Sequence, residues 1–165
     1  MQVRDLIGFN PEVFVQEFID AFEAKGAPWP KLVEEEIDEF YEAWGIVMDT
    51  PDNVDGDTAI RLSADLLKEF CDILYVLAGL KLCDPGHQLP MKQVCLLKMA
   101  ADAAHDVFGK ELIAEAFVEV HDSNMSKLGA DGKPFRREDG KVLKGPNYRP
   151  ANIVGILLPQ SKAIN

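Results

Sequence analysis

Residues 66–79 read LLKEFCDILYVLAG. Leu66, Phe70, Ile73 and Leu77 recur at helical spacing. With Leu62, Leu74 and Val76 they form one apolar arc when successive residues are turned by about 100°. The pattern predicts a helix over roughly 58–82. Two acids contradict it. Glu69 falls inside the arc, about 20° from both Leu62 and Val76, and Asp72 lies on its border next to Val76. A buried carboxylate without a partner costs several kcal/mol. Lys68 is adjacent, but its helical angle points about 100° away from Glu69.

The preceding helix, expected over about 31–48, repeats the conflict. It carries Leu32, Val33, Ile37, Phe40, Tyr41 and Trp44, whose apolar arc centres near Phe40. Glu36 sits at the edge of that arc and Glu39 about 60° further round. Glu35 stands one residue before Glu36, while Glu34, Asp38 and Glu42 face away. A run such as EEEIDEF is ordinarily a solvated face. Two helices that each offer carboxylates at i and i+3 can instead aim four acids into one interior, the geometry of di-metal carboxylate bundles. Oxygen-only ligands favour Mg²⁺ or Mn²⁺. Buried salt bridges are the alternative, and spacing alone leaves both open.

The rest of the chain reads as helix up to residue 127. Asn10 and Pro11 open a first helix in which Phe14, Phe18 and Phe22 form a stripe. Residues 49–57, DTPDNVDGD, make an acidic loop, and further helices are expected over about 91–108 and 111–126. From 128 onward the chain is rich in Gly and Pro with no helical period. Residues 1–127 are therefore read as a helical core and 128–165 as an irregular basic arm. Between Lys127 and Arg149 lie seven basic residues against three acids.

The whole chain has 165 residues and a formal charge of −11, from 17 basic and 28 acidic residues. That charge disfavours stable binding to nucleic acid or to an anionic membrane. No apolar run approaches the roughly 20 residues of a membrane span. Three cysteines without a CxxC pair point to reduced thiols and a cytoplasmic setting. The three histidines form no HxxxH pair and read as unpaired, and no GxxxxGK[ST] loop is present. Cys71 reads as a packing residue.

Glu35-Glu36-Ile37-Asp38-Glu39 followed by Glu69-Phe70-Cys71-Asp72 resembles the EExxE…ExxD signature of the MazG-like, all-α nucleoside triphosphate pyrophosphohydrolases. EFIDAFEAKGAPWP resembles the segment that precedes those motifs. HDSNMSKLGADGKPFRREDGKVLKGPNY resembles the tail of phage and bacterial members of the phosphoribosyl-ATP pyrophosphohydrolase-like branch. The resemblance covers about residues 10–150. It implies an all-α fold with a four-helix-bundle core, and a homodimer or homotetramer whose active sites are completed across subunits. It also implies two or three Mg²⁺ held by Glu36, Glu39, Glu69 and Asp72, with Mn²⁺ able to substitute.

The activity it implies is cleavage of a nucleoside triphosphate between its α and β phosphates, giving the monophosphate and pyrophosphate. A phage MazZ-like group within this branch acts on dGTP and dATP, which makes a purine deoxynucleotide the expected substrate and the host cytoplasm the setting of a phage-encoded member. Two departures stand out. The stretch from Glu39 to Glu69 is long for the family, and Ile19 stands where many relatives have His.

Roles follow from that resemblance. Glu35 is the expected outer ligand or base and, with Glu36, the expected catalytic pair. Lys127, Lys141 and Lys144 are expected on the β and γ phosphates, and Asn124 on phosphate or sugar. The bland reading of each lysine is a solvated arm. Trp29, in a proline-flanked loop, is expected at the base or in simple packing, and Tyr75, off its helix's main arc, in the pocket wall. Trp44 reads as core and Asp20 as solvated. Hydrolysis of phosphoribosyl-ATP, or a non-enzymatic helical module whose basic arm contacts nucleic acid, are the competing functions.

Overall fold

The computed structural model describes residues 8–138 and 142–158. Among the described residues five α-helices carry the fold: α1 Glu12–Ala21, α2 Trp29–Asp49, α3 Gly56–Cys83, α4 Met91–Met125 and α5 Ile153–Leu157. A 3₁₀ turn, Ala24–Gly26, links α1 to α2. The described residues form no strand, only the isolated bridges Leu128–Pro134 and Arg136–Val142. The protein is all-α, and none of its described helices is long and apolar enough to cross a membrane.

Local chemistry explains where the helices start. Asn10 Oδ1 accepts from the Glu12 N–H at 3.1 Å, with Pro11 between them, so the first orphan donor of α1 is met by a side chain. Pro30 sits in the first turn of α2, where its missing N–H costs nothing. The acidic loop ends in a cap: Asp55 accepts from the Thr58 N–H at 2.9 Å and from the Thr58 hydroxyl at 2.8 Å.

The expected break between two helices near 110 is present as a kink. Gly109 adopts φ 71° and ψ 163°, a conformation that strains any side-chain-bearing residue, and α4 changes direction there.

Helix α3 is the axis, packed against α1, α2, α4 and α5. Leu67, Phe70, Ile73 and Leu74 are fully buried on it, and Phe40, Ile113 and Phe117 close over them from α2 and α4. The Tyr41 hydroxyl donates to the Leu96 carbonyl at 2.9 Å and ties α2 to α4. Phe18 stacks on Phe22 with centroids 4.3 Å apart, and Phe14 meets the His121 ring edge-on at 5.1 Å, so the phenylalanine stripe faces inward.

The arm expected to be irregular folds back and contains α5, capped by Asn152, whose Oδ1 accepts from the Gly155 N–H at 3.1 Å. Ile153 at its start is 3% exposed and belongs to the same core as Phe70. Helical regularity pauses near 127, but the core does not stop there.

Candidate functional site

A cavity of about 1240 Å³ opens where the α1–α2 turn, α2, α3, the end of α4 and the arm converge. One side is acidic. Among the described residues, Glu36, Glu69 and Asp72 bring carboxylate oxygens within 4.8 Å of one another. Helix α2 supplies the first and α3 the other two, one helical turn apart, as the apolar-arc conflict anticipated. Glu39 lies one turn beyond Glu36 and lines the cavity outside this trio. Glu35 is exposed, paired with Lys31 at 3.1 Å, and is not in the cavity wall.

Lys68 corrects the angular reading. Its Nζ lies 2.9 Å from Glu69 Oε1 and 2.7 Å from Asp72 Oδ2. A helical angle locates Cβ, but four methylenes carry the ammonium back along the helix to its i+4 neighbour. The salt-bridge alternative is therefore realised, although it does not neutralise the cluster. Glu69 Oε2 is buried with no hydrogen-bond partner. Burial, followed by the charges of Asp72, Glu39 and Glu69, pushes the Glu36 carboxyl up to about 8 against the opposing pull of Lys68. Burial also raises Glu69, with Lys68 opposing. For Lys68 itself burial disfavours the charge, yet Asp72 and Glu69 outweigh it and hold the ammonium above its ordinary value. One cation thus serves several carboxylates. An all-oxygen donor set with an orphaned buried oxygen fits a hard divalent ion.

The same cavity is also lined by basic side chains that come from the segment after α4 and from the arm. Lys127, Lys144 and Arg136 line it. Lys127 donates to Asn124 Oδ1 at 2.7 Å, and burial lowers its pKa while Asp72 opposes the shift. The Lys144 ammonium stands 4.6 Å from the centroid of Tyr148. Arg136 donates to the Phe22 carbonyl, anchoring the arm to the end of α1. Lys141 lies outside the described residues.

Trp29 is not in a loop, as expected, but is the first residue of α2, 4% exposed, with its ring against Gly79. It still lines the cavity, as does Tyr75. Tyr75 is buried, its hydroxyl 3.0 Å from His121 Nδ1. His121 thus has a partner remote in the chain, and His87 Nδ1 lies 3.5 Å from Asp84 Oδ2. Trp44 is half-buried beside Phe40, and Asp20 is exposed, accepting from Gln16. Cys71 is fully buried with Sγ 3.8 Å from the Ile113 carbonyl, and burial raises its thiol pKa.

Sequence reasoning missed Lys68, His121 and Arg136. The i,i+4 spacing of Lys68 and Asp72 was the available signal for the first. His121 and Arg136 had none, because their partners are remote in the chain. No protein-family model matches the chain, and neither does any curated protein or solved structure compared with it.

Proposed function

We propose that the protein is a Mg²⁺-dependent nucleoside triphosphate pyrophosphohydrolase of the MazG-like kind, its helices forming the four-helix core of that class. The observation that carries this reading is one cavity lined both by an under-neutralised carboxylate cluster and by Lys127, Lys144 and Arg136. A triphosphate needs both: cations for its oxygens and hard-metal ligands close by. Its volume accommodates a nucleotide, and Trp29, Tyr75 and Phe18 offer an apolar side for a base.

Glu36, Glu69 and Asp72, with Glu39 beside them, would hold Mg²⁺, which neutralises phosphate oxygens and makes a bound water more acidic. The lysines and Arg136 bind the β and γ phosphates and orient the α–β anhydride. Water replaces the bridging oxygen at phosphorus, pyrophosphate leaves with the anhydride electron pair, and the nucleoside monophosphate remains. Glu35, the expected base, is outside the cavity wall and keeps an outer position; Glu36, the other member of the expected catalytic pair, is in the wall and takes the proton in this reading. The substrate of this reading is a purine deoxynucleoside triphosphate, dGTP or dATP, acted on by a homodimer or homotetramer in the cytoplasm.

The test is pyrophosphate release from a panel of NTPs and dNTPs with Mg²⁺, with EDTA as control. Monophosphate plus pyrophosphate, lost with EDTA and in Glu36→Gln and Glu69→Gln while helix content persists, is the expected result. Diphosphate plus phosphate would place the cleavage elsewhere. Full activity in both variants would remove the metal-cluster mechanism. Metal binding without turnover of any nucleotide would favour phosphoribosyl-ATP as substrate.

A further inference from the structure

Lys68 holds two of the three clustered carboxylates. Its Nζ donates to Glu69 Oε1 at 2.9 Å and to Asp72 Oδ2 at 2.7 Å, and Glu36 completes the trio within 4.8 Å. The second oxygen of Glu69 is buried without a partner, so the ammonium satisfies only part of the cluster. The lysine is also the least enclosed member of the group. Its side chain is 42% exposed, against 17% for Glu69 and 19% for Asp72, and it lines the same cavity as Lys127 and Lys144. The carboxylates stand on short stems, whereas four methylenes carry the ammonium and let it swing towards the open side.

A hard divalent ion takes carboxylate oxygens at about 2.1 Å. On these carboxylates it would stand beside the Lys68 ammonium, and like charges that close repel strongly in a half-buried setting. The ammonium therefore gives up the oxygens when the ion binds. A half-buried charge that has lost its partner is costly and needs another. Oxygens of a polyphosphate on the same ion would lie within roughly 4 Å of the carboxylate oxygens, two metal–oxygen bonds in length. The ammonium starts 2.7–2.9 Å from Asp72 and Glu69, so a rotation of its stem reaches those oxygens with the backbone unmoved.

We propose that Lys68 is an exchangeable counter-ion: it holds Glu69 and Asp72 in the empty protein and becomes a polyphosphate-binding residue when ion and ligand are both present. The inference rests on the reading of the carboxylates as hard-ion ligands and of the cavity as a polyphosphate site, and it adds a ligand contact from α3 to those of Lys127, Lys144 and Arg136. The empty site is thereby kept from full self-repulsion, and the cation that protects it is reused on the ligand rather than lost to solvent.

Two measurements on the full chain test it. In the wild-type protein, reductive methylation at Lys68, read by peptide mass spectrometry, should rise several-fold on adding Mg²⁺ alone and fall again on adding inorganic tripolyphosphate. No rise with Mg²⁺ shows that Lys68 stays on the carboxylates, and no fall with tripolyphosphate shows that it goes to solvent; either overturns the proposal. The second is calorimetry with helix content monitored. Lys68→Met should bind Mn²⁺ several-fold more tightly, yet at saturating Mn²⁺ it should bind tripolyphosphate about tenfold more weakly, the range of one charge-assisted hydrogen bond. Lys68→Arg, which keeps the charge, should stay close to wild type in tripolyphosphate binding. Losses in both affinities for Lys68→Met mark a merely structural lysine and overturn the exchange, as does unchanged tripolyphosphate binding. A wild-type protein that binds no Mn²⁺ overturns it together with the metal cluster. Opposite shifts in the two affinities without hydrolysis of any nucleotide uphold the exchange and strike only the proposed reaction.

Discussion

Lys68 and Asp72 form an i,i+4 ion pair of 2.7 Å inside the carboxylate cluster, and the same ammonium holds Glu69 at 2.9 Å. The lysine occupies the place where a divalent ion would compete for the same oxygens. Replacing it with an apolar stem of similar length should make the cluster a tighter cation site and a less stable one when empty. Lys68→Met is expected to bind Mn²⁺ several-fold more tightly by calorimetry and to melt at a lower temperature in EDTA. Unchanged or weaker Mn²⁺ binding would show that Lys68 does not compete for the site.

Glu36 makes stability depend on pH in the metal-free protein. Its folded pKa is raised from the ordinary 4.5 to about 8. Between those values the unfolded chain has lost the proton that the folded chain retains. Stability is therefore greatest below pH 4.5 with respect to this group, falls as pH rises towards 8, and is level above it. In EDTA, Glu36→Gln should flatten this slope and melt on the order of a few degrees higher than wild type at pH 8.5. A wild-type melting curve that does not decline between pH 5 and 8 more than that of the variant would contradict the assignment.

Gly79 is required by Trp29. A Cβ on Gly79 would lie 2.2 Å from Trp29 Cζ3, inside the ring's van der Waals envelope, and α3 and α2 are both fixed there by core packing. Gly79→Ala should destabilise by about 1–3 kcal/mol through overpacking and shift the indole fluorescence. Gly45, in α2 with open space at its Cβ position, is the control. Gly45→Ala should stabilise by about 0.5–1 kcal/mol in the same denaturant titration. Equal responses at the two sites would show that Trp29 does not pack on Gly79.

Arg149 latches the arm. Its guanidinium pairs with Glu119, its carbonyl accepts from the Ser123 hydroxyl at 2.9 Å, and the Asn152 N–H donates to the same Glu119 carboxylate at 2.8 Å. Lys144 and Tyr148, which line the cavity, precede this latch in the arm. The ion pair is exposed and contributes little to global stability. Arg149→Ala should leave the melting temperature nearly unchanged and raise KM for the triphosphate several-fold, with kcat less affected. An unchanged KM would show that the latch does not place the basic wall.

The helices themselves were legible in the sequence. Apolar spacing alone located α1, α2 and α3, because backbone geometry imposes a period of about 3.6 residues whatever the neighbours are. The same period flagged Glu69 and Asp72 as acids in the wrong place, and Glu36 with them. It also marked Cys71 as packing and Phe14, Phe18 and Phe22 as one stripe. These properties are local: each depends on the angle of one side chain about one helix.

What only the tertiary structure decided is which side chains meet. Lys68 reaches Asp72 because a flexible stem, not its Cβ angle, places the charge. Trp29 is buried because Gly79, fifty residues on, leaves room for its ring. His121 gains Tyr75, and Arg136 gains the Phe22 carbonyl, across separations of 46 and 114 residues. The packing of helices and the return of the arm create those encounters, and no periodicity within a single segment encodes them. The acids of the candidate site were therefore readable from helical angle, whereas their meeting with Lys127, Lys144 and Arg136 in one cavity exists only once the chain has closed on itself.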